Sequence, residues 1–151
     1  MDGANDFDFF IGRWTVRNER LRGRFAGCSD WDVFAATTVC RKVLGGAGNI
    51  DEMDVPERGL HGLTVRLYDA TTGLWSLNWA DDVARRMFPP VVGRFADGRG
   101  VFLGDDSDDG RPVKVRFLWT PSPVAPVWEQ AFSIDGGATW ETNWIMRFTP
   151  A

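Results

Sequence analysis

The chain has one histidine and two cysteines among its 151 residues, and no long apolar run. Each shortage closes a route to function. A single imidazole, His61, gives neither a multi-histidine metal centre nor a Ser-His-Asp arrangement much to build from. Cys28 and Cys40, with eleven residues between them, read as thiols of a reducing compartment rather than as a bridge, and they lack the companions of a zinc site. No segment approaches the ~18 apolar residues of a membrane-spanning helix. The opening Met1-Asp2-Gly3-Ala4-Asn5-Asp6 is acidic and has no apolar leader region, so the expected setting is the cytoplasm, without a membrane partner. Basic blocks interleaved with aromatics are missing too. Asp and Glu number 21 against 17 Lys and Arg, a formal charge of -4, which disfavours nucleic acid. The densest basic run, Arg17 to Arg24, reads as a solvated strand-and-loop face, with anionic-ligand binding as the sharper alternative.

What is abundant is aromatic. Eight Trp and eleven Phe sit in a chain whose hydrophobic share, 44%, is otherwise ordinary. A domain of this length buries roughly two thirds of the surface its unfolded chain would expose, so residues 1-151 are expected to form one domain without a metal or disulfide staple. Period-2 alternation bounded by turn signals predicts about ten strands, at 12-22, 31-43, 48-55, 62-69, 74-80, 91-96, 100-104, 112-120, 126-134 and 140-149. Thr71-Thr72-Gly73, Asp97-Gly98, Asp109-Gly110 and Asp135-Gly136-Gly137 supply hairpin turns between them. Consecutive hairpins imply an antiparallel meander. The expected fold is therefore all-β, a single antiparallel up-and-down barrel, which leaves no strand edge unpaired. A short N-terminal helical turn at Asn5 to Phe10 is expected to plug one end, and 81-88 is the other candidate helical piece.

Alternation also assigns faces. Trp75, Leu77 and Trp79 share one side of their strand; Val113, Val115, Phe117 and Trp119 share another; Trp140, Thr142, Trp144, Met146 and Phe148 share a third. Faces this apolar belong inside. The same parity turns Trp128, Gln130 and Phe132 inward in the ninth strand, and Trp14, Val16 and Asn18 in the first.

The opening Phe10-Ile11-Gly12-Arg13-Trp14, placed on strand one of such a meander, resembles the calycin group of barrels: lipocalins, fatty-acid-binding proteins and nitrobindin-like proteins. The resemblance is strongest to bacterial lipocalin-like families of unassigned function, and it implies a ligand-binding barrel with Trp14 closing one end. In lipocalins an Arg late in the final strand packs across that Trp; Arg147 lies in the corresponding region, although alternation turns it outward. Nitrobindin-like proteins ligate haem through a His in the barrel, whereas His61 stands beside a turn, so no haem is expected.

Several motifs look chemical. Ser133-Ile134-Asp135-Gly136-Gly137-Ala138-Thr139-Trp140 matches an Asp-box, which specifies a hairpin braced by Asp135 over Trp140. Asp105-Asp106-Ser107-Asp108-Asp109-Gly110 resembles half an EF-hand loop, but its twelfth position is Arg116 rather than Glu, so it reads as a solvated hairpin tip. Gly45-Gly46-Ala47-Gly48 lacks the Lys-Ser/Thr of a phosphate loop and reads as a tight strand connection. Carboxylates cluster at Asp51, Glu52 and Asp54, and again at Asp81-Asp82 directly after Trp79. One held against Trp in a dry cavity could serve as a general acid or base.

Two functions fit. The first is binding of a small hydrophobic or aromatic metabolite, with Trp14, Trp75, Trp79, Trp128, Phe132 and Trp144 as the apolar lining and Asn18, Gln130 and Thr142 as orienting polar contacts. The second is a cofactor-free isomerase, cyclase or hydratase using Asp81 or Glu52 as acid/base, Glu129 being the fallback if the ninth strand is reversed. No metal or cofactor is expected in either, and a homodimer is left open.

Overall fold

Turn chemistry and alternation act together in the computed structural model, which describes residues 2-151. The strands are β1 (Gly12–Leu21), β2 (Trp31–Val43), β3 (Gly48–Val55), β4 (Leu60–Asp69), β5 (Leu74–Asp81), β6 (Val91–Ala96), β7 (Arg99–Asp108), β8 (Arg111–Thr120), β9 (Val127–Ser133) and β10 (Glu141–Pro150). Each pairs antiparallel with its sequence neighbours, and β1 pairs with β10 to close a ten-stranded up-and-down barrel. Asp97-Gly98 and Asp109-Gly110 form two-residue hairpins with both residues at positive φ.

The N-terminal segment ends in a 3-10 turn, Asp8–Phe10, whose Phe7 and Phe10 are 1% and 0% exposed. It plugs the end where β1 begins. The Trp14 indole donates to the Phe10 carbonyl (2.8 Å), and the Trp75 indole donates to the Gly3 carbonyl (3.1 Å). Phe10 stacks on Trp14 at 5.7 Å and meets Phe148 edge-on at 4.8 Å. Gly12 adopts φ +137 with open space where a side chain would stand, so what the opening motif needs there is backbone freedom rather than room.

Four local expectations are corrected. Residues 81-88 form a turn ending in an isolated Ala80–Met87 bridge rather than a helix, because Asp81 binds the Val83 and Ala84 amides and holds the chain in a reversal. Further 3-10 turns occur at Leu44–Gly46 and Pro56–Arg58. Asp105 to Asp108 belong to β7, not to a hairpin tip: Lys114 binds Asp105 at 2.6 Å and Arg24 binds Asp108 at 2.7 Å, offsetting the acidic repulsion. Finally, the β9–β10 register shifts between Thr142 and Trp144. That bulge resets the parity of the strand start, so Thr142 pairs with Ala131 and Trp140 carries the Arg116 guanidinium over its ring at 4.6 Å, both on the outer face.

The Asp-box is structural, as expected. Asp135 accepts from the Ser133 hydroxyl (2.6 Å) and the Thr139 amide (2.8 Å), which hold its carboxyl down at about 2.

Candidate functional site

Below the plug the barrel is not filled. A cavity of about 510 Å³ runs from a floor of Phe10, Arg66, Trp119 and Phe148 to a mouth at the opposite end. Its volume lies within the usual range for small-molecule sites.

The wall is asymmetric. Strands β5 and β8 to β10 supply Leu77, Trp79, Val115, Phe117, Trp128, Phe132, Trp144 and Met146. Trp144 meets Trp128 edge-to-face at 5.7 Å and Trp79 at 6.4 Å, while Phe117 meets Trp128 at 5.0 Å. Such T-shaped contacts fix the rings without closing the space between them. Trp79 needs room opposite: a Cβ on Gly62 would fall 1.9 Å from its ring, so this glycine is there for space. Gln130, also on the cavity wall, donates to Asn143 Oδ1 (2.8 Å), the residue that the bulge brings into the interior.

Strands β3 and β4 put ions inside. Arg66 and Asp51, with side chains 4% and 9% exposed, approach to 2.6 Å between Nη2 and Oδ1, a close ion pair not aligned as a hydrogen bond. Asp51 Oδ2 accepts from the Thr38 hydroxyl (2.8 Å), and Arg66 Nη1 donates to Asn49 Oδ1 (2.9 Å). The Arg66 guanidinium also lies 5.2 Å from the Phe7 and Phe10 ring centroids, so the aromatic plug rests on a cation. Beside this network the Cys40 thiol is pushed up to about 12 by burial and stays protonated.

Of the residues expected to form the site, Trp79, Asp81, Trp128, Gln130, Phe132 and Trp144 line the cavity together. Trp14 and Trp75 are buried at the closed end, behind Phe10 and against Phe7, and do not line it. Asn18 is fully buried yet supports the wall from behind, its Oδ1 accepting from the Trp144 indole at 2.9 Å. Thr142 is removed to the outer face by the bulge. Glu52 is exposed on the outside of β3, because the alternation that turns Asp51 and Met53 inward turns it out. Glu129 is likewise outside, 4.0 Å from Arg99. Arg147 faces solvent on Glu19 at 2.6 Å rather than crossing Trp14.

Asp81 sits at the mouth and accepts three hydrogen bonds, from the Trp79 indole (3.1 Å), the Val83 amide (3.1 Å) and the Ala84 amide (2.7 Å). Of the four acceptor positions of a carboxylate, one is left. Arg66 was not anticipated; Asp51 stands in the carboxylate cluster from which Glu52 was chosen, and Arg20 in the basic run that reads first as a solvated face, although extending the parity Trp14, Val16, Asn18 by one step reaches Arg20, and that of Met53 and Val55 reaches Asp51. Among the described residues no three His, Cys, Asp or Glu side chains converge as a metal site, and no helix is long and apolar enough to cross a membrane. No family model and no curated protein matches this chain.

Proposed function

We propose that this barrel binds a small hydrophobic or aromatic molecule, and that it is a calycin-like binding protein of the cytoplasm, where unbridged Cys28 and Cys40 are at home. The observation that carries the reading is the cavity of about 510 Å³, open at one end and walled by Trp79, Trp128, Trp144, Phe117 and Phe132. Binding is favoured over acid/base chemistry by how the carboxylates are placed. Glu52 points away, Asp51 is held by Arg66 and Thr38, and Asp81 already receives three donors.

The test uses the neutral fluorophore N-phenyl-1-naphthylamine. Its emission is expected to rise, and protein Trp emission to fall, with one saturable site. Leu77→Trp, which puts an indole into the lumen from a wall residue 3% exposed, is expected to abolish the signal in a barrel still folded by circular dichroism. A wild-type titration with no saturable response would overturn the proposal.

A further inference from the structure

The mouth of the cavity is rich in charge, and most of it is matched. Arg24 binds Asp108 at 2.7 Å, Arg58 binds Asp32 at 2.6 Å, and Lys114 binds Asp105 at 2.6 Å. Among the described residues, three cavity-lining charges have no oppositely charged side chain in contact: Arg20, Asp81 and Asp106. Asp106 lies on the β7 rim and accepts from the Ser107 amide.

Arg20 and Asp81 stand differently, because each is fastened to an indole of the wall. Arg20 is the cross-strand partner of Trp144, and its guanidinium carbon lies 4.5 Å over that ring. Asp81 accepts from the Trp79 indole, and the Trp79 and Trp144 rings meet edge-to-face at 6.4 Å. A cation and an anion thus flank one pair of indoles without touching each other. Arg20 is an exposed residue at the rim whose guanidinium is covered on the side that lies over Trp144; that cover lowers its pKa, an effect increased by Arg24 and opposed by Asp81 and Asp32, so the group stands within the field of Asp81.

Each class of ligand meets this pair differently. A purely apolar molecule seated against the indoles takes water from both charges and gives nothing back. A simple carboxylic acid suits Arg20 but brings a like charge toward Asp81, and a simple amine does the converse. A molecule with an anionic and a cationic group borne on one carbon satisfies the guanidinium fork and the last acceptor position of Asp81 together.

We infer that the ligand is a zwitterion of the α-amino-acid type with an aromatic or large apolar side chain, its carboxylate on Arg20, its ammonium on Asp81 and its side chain in the lumen. This rests on the cavity being a binding site, and it names the class of molecule that enters.

Calorimetry with four indoles separates the contributions: L-tryptophan, indole-3-propionate without the ammonium, tryptamine without the carboxylate, and 3-methylindole without either. L-Tryptophan is expected to bind about tenfold or more tighter than each of the others. Arg20→Gln is expected to bring the tryptophan-to-tryptamine ratio close to one, and Asp81→Asn, which keeps an oxygen for the Val83 and Ala84 amides, to do the same for the tryptophan-to-indole-3-propionate ratio. Equal affinity for L-tryptophan and 3-methylindole, or ratios indifferent to both substitutions, would overturn the zwitterion while leaving the cavity a binding site. Failure of all four indoles to bind would overturn it too, and if N-phenyl-1-naphthylamine also fails, the binding reading falls with it.

Discussion

The two ends of this barrel use the same residue type in opposite ways. At the closed end the Trp14 and Trp75 indoles donate to main-chain carbonyls of the N-terminal segment, and their rings pack on Phe10 and Phe7. At the open end the Trp79 and Trp144 indoles donate to the side chains of Asp81 and Asn18, and their rings border the lumen, Trp144 also carrying the Arg20 guanidinium. Tryptophan thus seals one end and furnishes the other. The difference arises from the partner: carbonyls of the plug are fixed by the fold, so they lock a ring in a filled core, whereas side-chain acceptors hold a ring upright along a wall without filling the lumen.

The sharpest way to break this contrast is to delete one indole from each end. Trp14→Ala removes a ring 4% exposed and packed on all sides, and is expected to cost about 3-5 kcal/mol, measured by urea denaturation. Trp144→Ala removes a ring that already borders the cavity, so fewer contacts vanish and less than half that loss is expected. Equal losses would mean that the lumen is as well packed as the plug.

A smaller effect concerns the boundary between the ends, where Arg66 and Asp51 meet under the plug. Asp51→Asn leaves a buried guanidinium without its counter-charge and is expected to cost about 3 kcal/mol, whereas the double change Asp51→Leu with Arg66→Met is expected to recover most of it. If the double variant is no more stable than Asp51→Asn, the plug depends on Arg66 for more than charge balance.

The smallest effect belongs to the open end alone. His61, at the start of β4, places Nδ1 2.7 Å from Asp82 and Nε2 3.3 Å from Asp54. The bond to Asp82 raises the His61 pKa above its ordinary 6.5. The folded state therefore holds this proton more tightly than the unfolded state does. The contribution is fully present below 6.5 and is lost as pH rises through the raised value. With the imidazole 57% exposed, the expected change is a slight fall in melting temperature above neutrality, absent in His61→Gln. A pH dependence that survives this substitution would place the titrating group elsewhere.

Much of the fold was legible because its signals are local. Alternation located all ten strands within a few residues, and the Asp-Gly pairs marked hairpins, since a pleated strand and a tight turn each impose their chemistry on neighbouring positions. The site was legible only in part, at Trp79, Asp81, Trp128, Gln130, Phe132 and Trp144. Parity says that a side chain points inward; it does not say whether it meets a plug, a neighbour or a void. Trp14 and Trp75 met the plug and Asn18 met Trp144. The seventh strand was read too short, because four Asp within five residues suggest a solvated tip until Lys114, Arg24 and Arg111 are brought beside them.

By itself, then, the sequence determined an antiparallel meander with an aromatic interior, and Gly12-x-Trp14 as the start of its first strand. Tertiary structure alone decided where the lumen stays open, that an Arg66–Asp51 pair stands at its floor, and that one bulge at Asn143 turns Thr142 out. Closure is the physical reason. Joining β1 to β10 sets Arg20 against Trp144, and it brings residues more than a hundred positions apart into a register that no local pattern encodes.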